Sequence, residues 1–393
     1  MIIKIALIVG ARPNFMKAAP IMKRLRELKE HFSPLLIHTG QHYDDAMSKV
    51  FFDDLNMPQP DVYLGIGSGS HAEQTGRIML ELEKTFLKEK PDIVIVLGDI
   101  NSTVAGSLAA AKLCIPVAHI EAGLRSFDRR MPEEINRMVT DSISNYLFTT
   151  CEEANQNLLH EGHLEERIFF AGNVMIDSLY SVKEISGKSK ILKQLGLAET
   201  DTTKPYGVLT LHRPSNVDDK KALTDIFEAL AVVAKDMPII FPVHPRTRKQ
   251  IQTFGLEHYC NMVSDNDHKI TTTSAEVPGR LTCINPLGIV DFFKLLSCAR
   301  LVMTDSGGIT EETTVLKVPC LTMRDNTERS ITVTEGTNVL VGNKKQLIID
   351  GAKKQLARDF SSIQPPRHWD GKASERIVDV LLKIKNELRQ KVR

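Results

Sequence analysis

Carboxylates stand at two predicted strand ends and at one predicted helix start, where they could transfer protons. Asp99 follows the apolar run Ile93–Leu97, and Glu121 ends a second apolar run. An ionised carboxylate in such a place is costly unless it is paired, and proteins retain it when it carries out chemistry or holds a cation. Glu133, with Glu134 beside it, opens a helical pattern. Asp99, Glu121 and Glu133 are therefore candidate general acids or bases.

A turn of small residues that could bind phosphate follows the predicted strand Leu301–Thr304. The residues that open the next helix are Ser306, Gly307 and Gly308. Backbone N–H groups at such a helix start approach a phosphate closely, and the helix dipole favours its charge. Glu312, one turn later, is placed to accept both hydroxyls of a ribose. The segment predicts a phosphate site beside a ribose site.

Cationic side chains follow several other strand ends. His212 and His244 each follow a predicted strand and precede an arginine by one or two positions. Arg329 follows a later strand, and Arg12 and Lys17 open the helix after the first strand. Side chains of this kind suit a phosphate anion, so they predict a cationic rim around the phosphate site.

Some of these groups also have a purely structural interpretation. Glu121 could be neutralised by Arg125 or by Arg137, which would fix the loop between them. Either Glu133 or Glu134 could have the purely structural role of an acidic residue that interacts with the helix dipole at the start of its helix. The sequence leaves these alternatives open.

The elements that would position these residues are short strands alternating with helices. This alternation is typical of βαβ units with a parallel sheet, and strands that are apolar at nearly every position are covered by helices on both faces. The predicted strands are Ile2–Val9, Pro34–His38, Asp92–Leu97, Val117–Ile120, Tyr146–Thr149, Ile168–Ala171, Gly207–Leu211, Ile239–Val243, Leu281–Ile284, Leu301–Thr304 and Pro319–Met323. Ligands of such sheets collect at the carboxyl ends of the strands, where the candidate residues lie.

The chain divides at a polar, lysine-rich stretch without a strand-like run, between about Ser181 and Pro205. We predict an α/β protein of two doubly wound, Rossmann-like domains facing each other across a cleft. Residues 1–180 form the first domain, which carries the candidate carboxylates, and residues 205–365 form the second. Segment 372–393 has the apolar spacing of an amphipathic helix and is expected to complete the first domain.

Composition excludes several broad classes. The 393 residues include 50 Lys+Arg and 49 Asp+Glu, a balance that argues against a nucleic-acid binder or a membrane-surface protein. No apolar run approaches the roughly 20 residues of a membrane span, and the opening run ends in a glycine turn, so we expect a cytoplasmic protein. The six cysteines lie far apart without a C-x-x-C pair, which indicates neither a zinc site nor a disulfide framework.

Taken in order, these motifs resemble the non-hydrolysing UDP-N-acetylglucosamine 2-epimerases, whose two-domain fold is that of the GT-B glycosyltransferases. The matching segments are Gly10–Lys17, Gly98–Thr103, His119–Arg125, Pro132–Arg137, His212–Arg213, Asp305–Glu312 and Arg324–Arg329. They span nearly the whole chain. The resemblance implies a GT-B-like fold, an isomerase that acts on a UDP-sugar, a homodimer, and no requirement for metal or nicotinamide.

Enzymes of this family expel UDP from C1 by anti elimination of the C2 proton, which gives a 2-acetamidoglucal, and then add UDP back with the proton on the other face. The resemblance implies that Asp99, Glu121 and Glu133 lie near the sugar, with the acid and base assignment open. The diphosphate or the leaving group would be supported by Arg12, Lys17 and His212, and Arg137 would position the second carboxylate. The remaining substrate contacts would come from Ser306, Gly307, Gly308 and Glu312, with Arg329 serving UDP or cleft closure. His244, from the cationic rim, is kept as a further substrate-binding candidate.

One segment departs from the family's pattern, and another corresponds to the site through which bacterial members are regulated. Glu-Asn often follows the His-Arg of the second domain, but this chain has Pro214, Ser215 and Asn216, which leaves a contact to the sugar or phosphate open. In bacterial members a second UDP-N-acetylglucosamine acts as an activator. The possible remnants of that allosteric site are Gln41, His42 and Arg77.

Three alternative functions remain. A sister epimerase would act on a UDP-2,3-diacetamido uronic acid and would need an extra cation, which Arg129, Arg130 or Arg213 could supply. A hydrolysing epimerase would release UDP and N-acetylmannosamine. A protein of a different class would be a GT-B glycosyltransferase or a non-catalytic nucleotide-sugar sensor.

Overall fold

The computed structural model describes residues 2–41, 57–199, 202–263 and 279–390. These residues form two α/β units, each built on a seven-stranded parallel sheet. Unit 1 comprises Met1–Tyr180 and Pro366–Arg393, and unit 2 comprises Ser181–Pro365. The predicted fold class, α/β with two doubly wound sheets, is confirmed.

The sheet of unit 1 has the strand order β3-β2-β1-β4-β5-β6-β7, with every neighbouring pair parallel. Its strands are β1 (Ile3–Val9), β2 (Phe32–His38), β3 (Val62–Tyr63), β4 (Ile93–Leu97), β5 (Val117–Ala122), β6 (Tyr146–Thr149) and β7 (Ile168–Phe170). The chain winds outward from β1 in both directions, so β1, β4 and β5 lie side by side in the sheet. Their carboxyl ends therefore share one edge.

Helices cover both faces of this sheet. They are α1 (Arg12–Glu27), α2 (His71–Glu89), α3 (Asn101–Lys112), α4 (Pro132–Ile143), α5 (Glu152–His160) and α6 (Val174–Ser186), with a short 3-10 helix over Glu165–Arg167. Alternate residues of β4 enter different cores. Ile93, Ile95 and Leu97 pack with α1, whereas Val94 and Val96 pack with α2 and α3. This two-residue period explains why a strand buried on both faces is apolar throughout.

Near its start, unit 2 contains a small antiparallel strand pair, β8 (Ala198–Glu199) and β9 (Thr202–Thr203), in the stretch where the sequence shows no strand-like run. A two-residue strand is too short to show a periodic pattern, so the sequence carries no signal for it. The strands of the main sheet are β10 (Gly207–Thr210), β11 (Ile239–Pro242), β12 (Cys260–Met262), β13 (Leu281–Ile284), β14 (Leu301–Thr304), β15 (Cys320–Thr322) and β16 (Asn338–Leu340). Their order is β12-β13-β11-β10-β14-β15-β16.

The helices of unit 2 alternate with these strands. They are α7 (Ile191–Gln194), α8 (Pro214–Val217), α9 (Lys220–Val233), α10 (Pro245–Phe254), α11 (Ile289–Ser297), α12 (Gly307–Leu316), α13 (Ile331–Thr334) and α14 (Lys345–Leu356), with a 3-10 helix over Glu257–Tyr259. Strands β10 and β14 lie side by side and are parallel. The segments after Thr210 and Thr304 therefore leave the sheet at the same edge.

The C-terminal helix α15 (Ala373–Gln390) belongs to unit 1 and packs on α1. Its apolar face contributes Ile377, Leu381 and Leu388 to the core beneath α1. Asp177 of α6 accepts hydrogen bonds from the amides of residues 373 and 374, at 3.1 and 2.7 Å, and so caps the start of α15. Trp369, the single tryptophan, is buried just before this helix and donates to the Thr150 carbonyl at 2.9 Å.

Among the described helices, none combines the length and the hydropathy that a membrane crossing requires.

Candidate active site

Two of the candidate carboxylates of unit 1, Asp99 and Glu121, lie at the edge shared by β1, β4 and β5. Asp99 lies in the turn after β4, and Glu121 is the penultimate residue of β5. Lys17 projects from the second turn of α1, the helix that follows β1. Parallel pairing of the three strands brings these residues to the same edge of the sheet. Lys17 and Glu121 come into contact there although they are 104 residues apart in the sequence.

Glu121 sits in a β-bulge. The register between β5 and β6 shifts between Ile120 and Ala122, and Glu121 has the left-handed backbone angle φ = 75°. A non-glycine residue keeps this conformation only where its surroundings enforce it, and such bulges re-aim side chains at functional sites. The Glu121 side chain, 4% exposed, forms an ion pair with Lys17. This ion pair of Glu121 is thus with a lysine of α1, whereas the alternative from the sequence had an arginine of the same region, Arg125 or Arg137, neutralise it.

Gly98 leaves room for that ion pair. A Cβ atom on Gly98 would lie 2.8 Å from Lys17 Nζ and 3.1 Å from Glu121 Oε2, and the residue has φ = 64°. Both the backbone angle and the close approach require glycine. The turn that presents Asp99 is thus built directly over the Lys17–Glu121 pair.

Asp99 is tied to helix α4 through Arg137. One guanidinium nitrogen of Arg137 pairs with Asp99 Oδ2, and two others donate to Glu134 Oε2 at 2.9 and 2.7 Å. Glu134 also accepts from the amides of Ser126 and Phe127 at 3.0 and 2.8 Å. Burial alone would raise the pKa of Glu134, but the bonds from Ser126 and Arg137 lower it below its ordinary value.

The neighbouring acids Glu133 and Glu134 have different surroundings. Glu134 is 1% exposed and is held by the three partners described above. Glu133 is half-buried in the first turn of α4 and has no hydrogen-bond or ion-pair partner within the part of the chain that the structure describes. Of the two, Glu133 is the one whose carboxylate is available to a ligand, and Glu134 holds the loop in front of it.

Asp141 is a functional candidate that the sequence analysis missed. It lies on α4, is fully buried, and accepts from His119 (2.6 Å), the Gly123 amide (3.1 Å) and Arg125 (2.7 Å). Burial raises the pKa of Asp141, but the charges and bonds of His119 and Arg125 outweigh it and hold that pKa below its ordinary value. A signal was present, because Glu134, Arg137 and Asp141 occupy one helix face at the spacing expected for apolar residues.

Arg125 does not reach Glu121. Its guanidinium bonds Asp141 and donates to both oxygens of Glu161 at 2.7 and 2.6 Å. These ion pairs fix the loop after β5 against the end of α5.

Two of the three residues suggested for a second nucleotide site can be placed. Gln41 is buried, and its side-chain oxygen accepts from the Ser102 amide (3.1 Å) and hydroxyl (2.6 Å), which caps α3. Arg77 is exposed on α2, and Gln74, on the same helix, donates to the Gln41 carbonyl at 3.2 Å. His42 lies outside the described residues.

Asp305 organises the corresponding edge in unit 2. It is fully buried and accepts from the amides of His212 (3.0 Å) and Arg213 (2.9 Å), from His212 Nδ1 (2.9 Å), and from Asn216 (3.2 Å). Burial raises the pKa of Asp305, but the bond and charge of His212, with the backbone donors, lower it below its ordinary value. Asn216, at the departure from the family's pattern, thus supports Asp305.

His212 is presented to solvent by this arrangement. Its side chain is 46% exposed, with Nδ1 held by Asp305, so Nε2 is left for a ligand. His244 caps α10 by accepting from the Arg246 amide at 3.2 Å, and its ring centre lies 6.2 Å from that of His212. The two strand-end histidines that the sequence singled out are therefore neighbours.

The predicted phosphate turn begins α12. Ser306 is the residue before the helix, and Gly307 and Gly308 form its first turn. A Cβ on Gly307 would lie 2.7 Å from an Arg329 nitrogen, so glycine lets this guanidinium approach the helix start. Arg329 pairs with Glu328 and, at 2.9 Å, with Glu311.

The other two candidates, Glu312 and Arg12, lie near the starts of α12 and α1. Glu312 is half-buried one turn into α12, whereas its neighbour Glu311 is buried against Arg329. Arg12 is the first residue of α1. Within the described ranges, no group of three or more His, Cys, Asp or Glu residues is arranged to hold a metal ion.

Asp305→Asn should lower the free energy of unfolding by about 1–3 kcal/mol at neutral pH, because an amide nitrogen would face backbone donors in a buried site. The folded-state pKa lies below the ordinary 3.8, so the stabilisation by the carboxylate is complete above pH 3.8 and is lost as the pH falls through the folded value. Urea unfolding of the wild type and of Asp305→Asn between pH 7 and pH 3 measures the difference between their unfolding free energies. If that difference stays constant over this range, the Asp305 carboxylate does not stabilise the protein in the predicted way.

Comparison with known proteins agrees with this arrangement. The family described as UDP-N-acetylglucosamine 2-epimerase matches residues 25–382. A UDP-N-acetylglucosamine 2-epimerase of Methanocaldococcus jannaschii is 44% identical over 380 residues, covering 96% of this chain and 98% of the relative. A UDP-2,3-diacetamido-2,3-dideoxy-D-glucuronate 2-epimerase of Pseudomonas aeruginosa is 41% identical, covering 97% of this chain and all of the relative.

A solved structure of a relative also has a fold similar to that of this chain. The M. jannaschii UDP-GlcNAc 2-epimerase in complex with UDP-GlcNAc and UDP aligns with a TM-score of 0.84 and 42% identity, over 97% of this chain and 100% of that one. The fold is accordingly GT-B-like. The chain belongs to the UDP-N-acetylglucosamine 2-epimerase family.

Proposed function

We propose that this protein interconverts UDP-N-acetylglucosamine and UDP-N-acetylmannosamine by reversible epimerisation at C2. A carboxylate removes the C2 proton while the C1–O bond breaks and its electron pair leaves with UDP, which gives a 2-acetamidoglucal. UDP then adds back to C1, and a proton returns to C2 on the opposite face. The reaction needs groups that move a proton and groups that stabilise the departing diphosphate.

The observation that carries this proposal is the set of carboxylates in unit 1. Asp99 lies in the turn after β4, Glu121 on β5 and Glu133 on α4. Buried contacts of Arg137 and Asp141 join these three places. Glu133 is unpaired among the described residues, and Glu121 is held in a strained backbone conformation. A sensor that only binds a nucleotide sugar would need no such arrangement.

Unit 2 supplies the groups suited to the nucleotide. The start of α12 offers backbone N–H groups to a phosphate, and Glu312 lies one turn away for the ribose hydroxyls. His212, oriented by Asp305 and beside His244, is suited to the charge that develops on the leaving diphosphate. Lys17 and Arg12 of unit 1 would share this role. Arg137 would position Asp99, and Arg329 would support the phosphate turn.

Proton exchange at C2 tests the reaction. The full chain, incubated with UDP-N-acetylglucosamine in deuterated water with EDTA and without NAD, should form UDP-N-acetylmannosamine and carry deuterium at C2 in both sugars, as read by NMR. Elimination and re-addition change no net oxidation state, so no redox cofactor is required. Retention of the original C2 hydrogen would exclude elimination, and free UDP accumulating in proportion to product would identify a hydrolysing enzyme.

A second candidate substrate is favoured by the P. aeruginosa relative, which acts on a UDP-2,3-diacetamido uronate. Such a substrate carries an additional carboxylate that needs a cation. Arg130 is paired with Asp128 at 2.8 Å, and Arg213 donates to the Asp305 carbonyl at 3.0 Å, which leaves Arg129, exposed on the same loop, as the uncommitted choice. Parallel assays with both UDP-sugars decide between them.

The family resemblance also supports a homodimer and a cytoplasmic location. Light scattering after size exclusion and cell fractionation test these. Activation by a second UDP-N-acetylglucosamine through Gln41, His42 and Arg77 would give a sigmoidal rate against substrate concentration.

A further inference from the structure

Asp141 and His119 form a buried pair that contacts every element carrying a candidate carboxylate. We propose that this pair is a positioning device, which fixes Asp99, Glu121 and Glu133 relative to one another. The inference rests on the proposed epimerisation. Neither residue is accessible to a substrate, since both side chains are completely buried, so their role is to position and not to react.

The first link runs from Asp141 to the bulge of Glu121. Asp141 Oδ2 accepts from the Gly123 amide at 3.1 Å, two residues beyond Glu121. Gly123 has φ = 78°, and Glu121 has φ = 75°. Glycine adopts this angle without strain, whereas Glu121 does not, and a strained conformation persists only where the surrounding contacts enforce it. Asp141 anchors this segment through Gly123, and it lies on α4, the helix that carries Glu133.

The second link runs through His119 to the turn of Asp99. His119 Nδ1 donates to Asp141 Oδ1 at 2.6 Å, and His119 Nε2 donates to the Gly98 carbonyl at 2.8 Å. Gly98 directly precedes Asp99. The His119 ring, which belongs to β5, therefore connects α4 on one side with the end of β4 on the other.

The partners of His119 determine where its protons are. A carbonyl oxygen can only accept a hydrogen bond, so His119 Nε2 donates to Gly98. Asp141 Oδ2 faces the Arg125 guanidinium and the Gly123 amide, which hold the pKa of Asp141 low together with His119, so its other oxygen accepts from His119 Nδ1 as part of a carboxylate. Both ring nitrogens must consequently donate, so His119 carries a proton on each. The charges of His119, Arg125, Asp141 and Glu161 then balance two against two, with the first three buried and Glu161 at the surface.

The expected effect of breaking this device is kinetic. Misplacement of catalytic groups by about 1 Å can cost about 10²-fold in rate. In Asp141→Asn the amide nitrogen faces at least one donor, so the anchor of Gly123 or the bond from His119 is lost. We expect kcat to fall about 10²-fold or more, with the KM and the affinity for UDP little changed, because the phosphate turn lies in unit 2.

A matched control separates positioning from stability. Leu381→Ala removes a buried side chain of α15 from the core of unit 1, and Leu381 contributes to no candidate site. Unfolding of unit 1 is followed by the fluorescence of Trp369, which is buried in it. Asp141→Asn should lose kcat, while Leu381→Ala, with a similar or greater loss of unfolding temperature, should keep the kcat of the wild type at the assay temperature. Equal losses, or an unaffected Asp141→Asn, would overturn the proposal.

Two further measurements serve if Asp141→Asn does not fold. His119→Gln can reach only one of the two acceptors and should also lower kcat with little change in KM; wild-type kcat in this variant contradicts the proposal. In the wild-type protein, ¹⁵N NMR of the His119 ring should show two protonated nitrogens at neutral pH, and an unprotonated nitrogen would overturn the double donation. This spectrum does not depend on turnover, so failure of the epimerase assay on the wild type would reject the proposed function separately.

Discussion

Glu133→Gln should remove nearly all epimerase turnover and leave the unfolding temperature of the protein nearly unchanged. A carboxylate that transfers a proton contributes roughly 10²–10⁴-fold in rate, and the amide cannot replace it. The side chain has no partner within the described residues, so its replacement leaves no buried group unsatisfied. Only the favourable contact with the helix dipole is lost, about 0.3–1 kcal/mol.

Glu134→Gln is the matched control on the same turn of α4. Glu134 accepts from two backbone amides and from Arg137 in a buried site, so the change should cost about 1–3 kcal/mol or more in unfolding free energy. Steady-state kinetics and thermal unfolding of both variants give the comparison. A Glu133→Gln enzyme with normal kcat would remove Glu133 from the mechanism. An unfolding temperature lowered as much as in Glu134→Gln would instead assign Glu133 a structural role.

Glu121→Gln should abolish turnover and also destabilise the protein. The substitution leaves the Lys17 ammonium, 7% exposed at its side chain, without its counter-charge. Removing one partner of a buried ion pair costs about 3–5 kcal/mol. The variant alone therefore cannot separate a catalytic carboxylate from a structural one, and both the rate and the stability must be measured.

The double variant Glu121→Gln with Lys17→Met makes that separation. Methionine has nearly the length of lysine without the charge, and replacing both partners of a buried pair is often close to neutral for stability. We expect the double variant to regain most of the unfolding free energy and to stay inactive. A stable and active double variant would mean that Glu121 serves only to neutralise Lys17. Lys17→Met alone leaves the Glu121 carboxylate without its ion-pair partner, and it shows how much of the loss of activity comes from removing Lys17.

The regular elements could be predicted because their signals are local. Strands buried on both faces, such as Ile93–Leu97, are apolar throughout, and the predicted bounds of Tyr146–Thr149, Leu281–Ile284 and Leu301–Thr304 agree with the structure. Three short strands that lie at the edges of their sheets, Val62–Tyr63, Cys260–Met262 and Asn338–Leu340, were missed. So short a segment has no period to detect, and it pairs only because a longer neighbouring strand offers its edge.

The polar partners were harder to predict, since they come from residues distant in sequence. The structural alternative from the sequence paired Glu121 with Arg125 or Arg137, but Lys17, 104 positions away, forms an ion pair with it. Arg125 pairs with Asp141 and Glu161 instead. Strand order decides these choices: β1 and β5 flank β4, and this brings α1 to the end of β5.

By itself the sequence determined the α/β class, the two repeating halves and the types of residue at the strand ends, because each depends on spacing within about a dozen positions. The tertiary structure alone decided which acids are committed and which are available. Glu133 and Glu134 are adjacent and chemically alike, yet only Glu134 faces Arg137 and the amides of the preceding loop. Whether a charge is neutralised depends on the groups around it in space. Those groups are brought there by the packing of helices and strands that are far apart in the sequence.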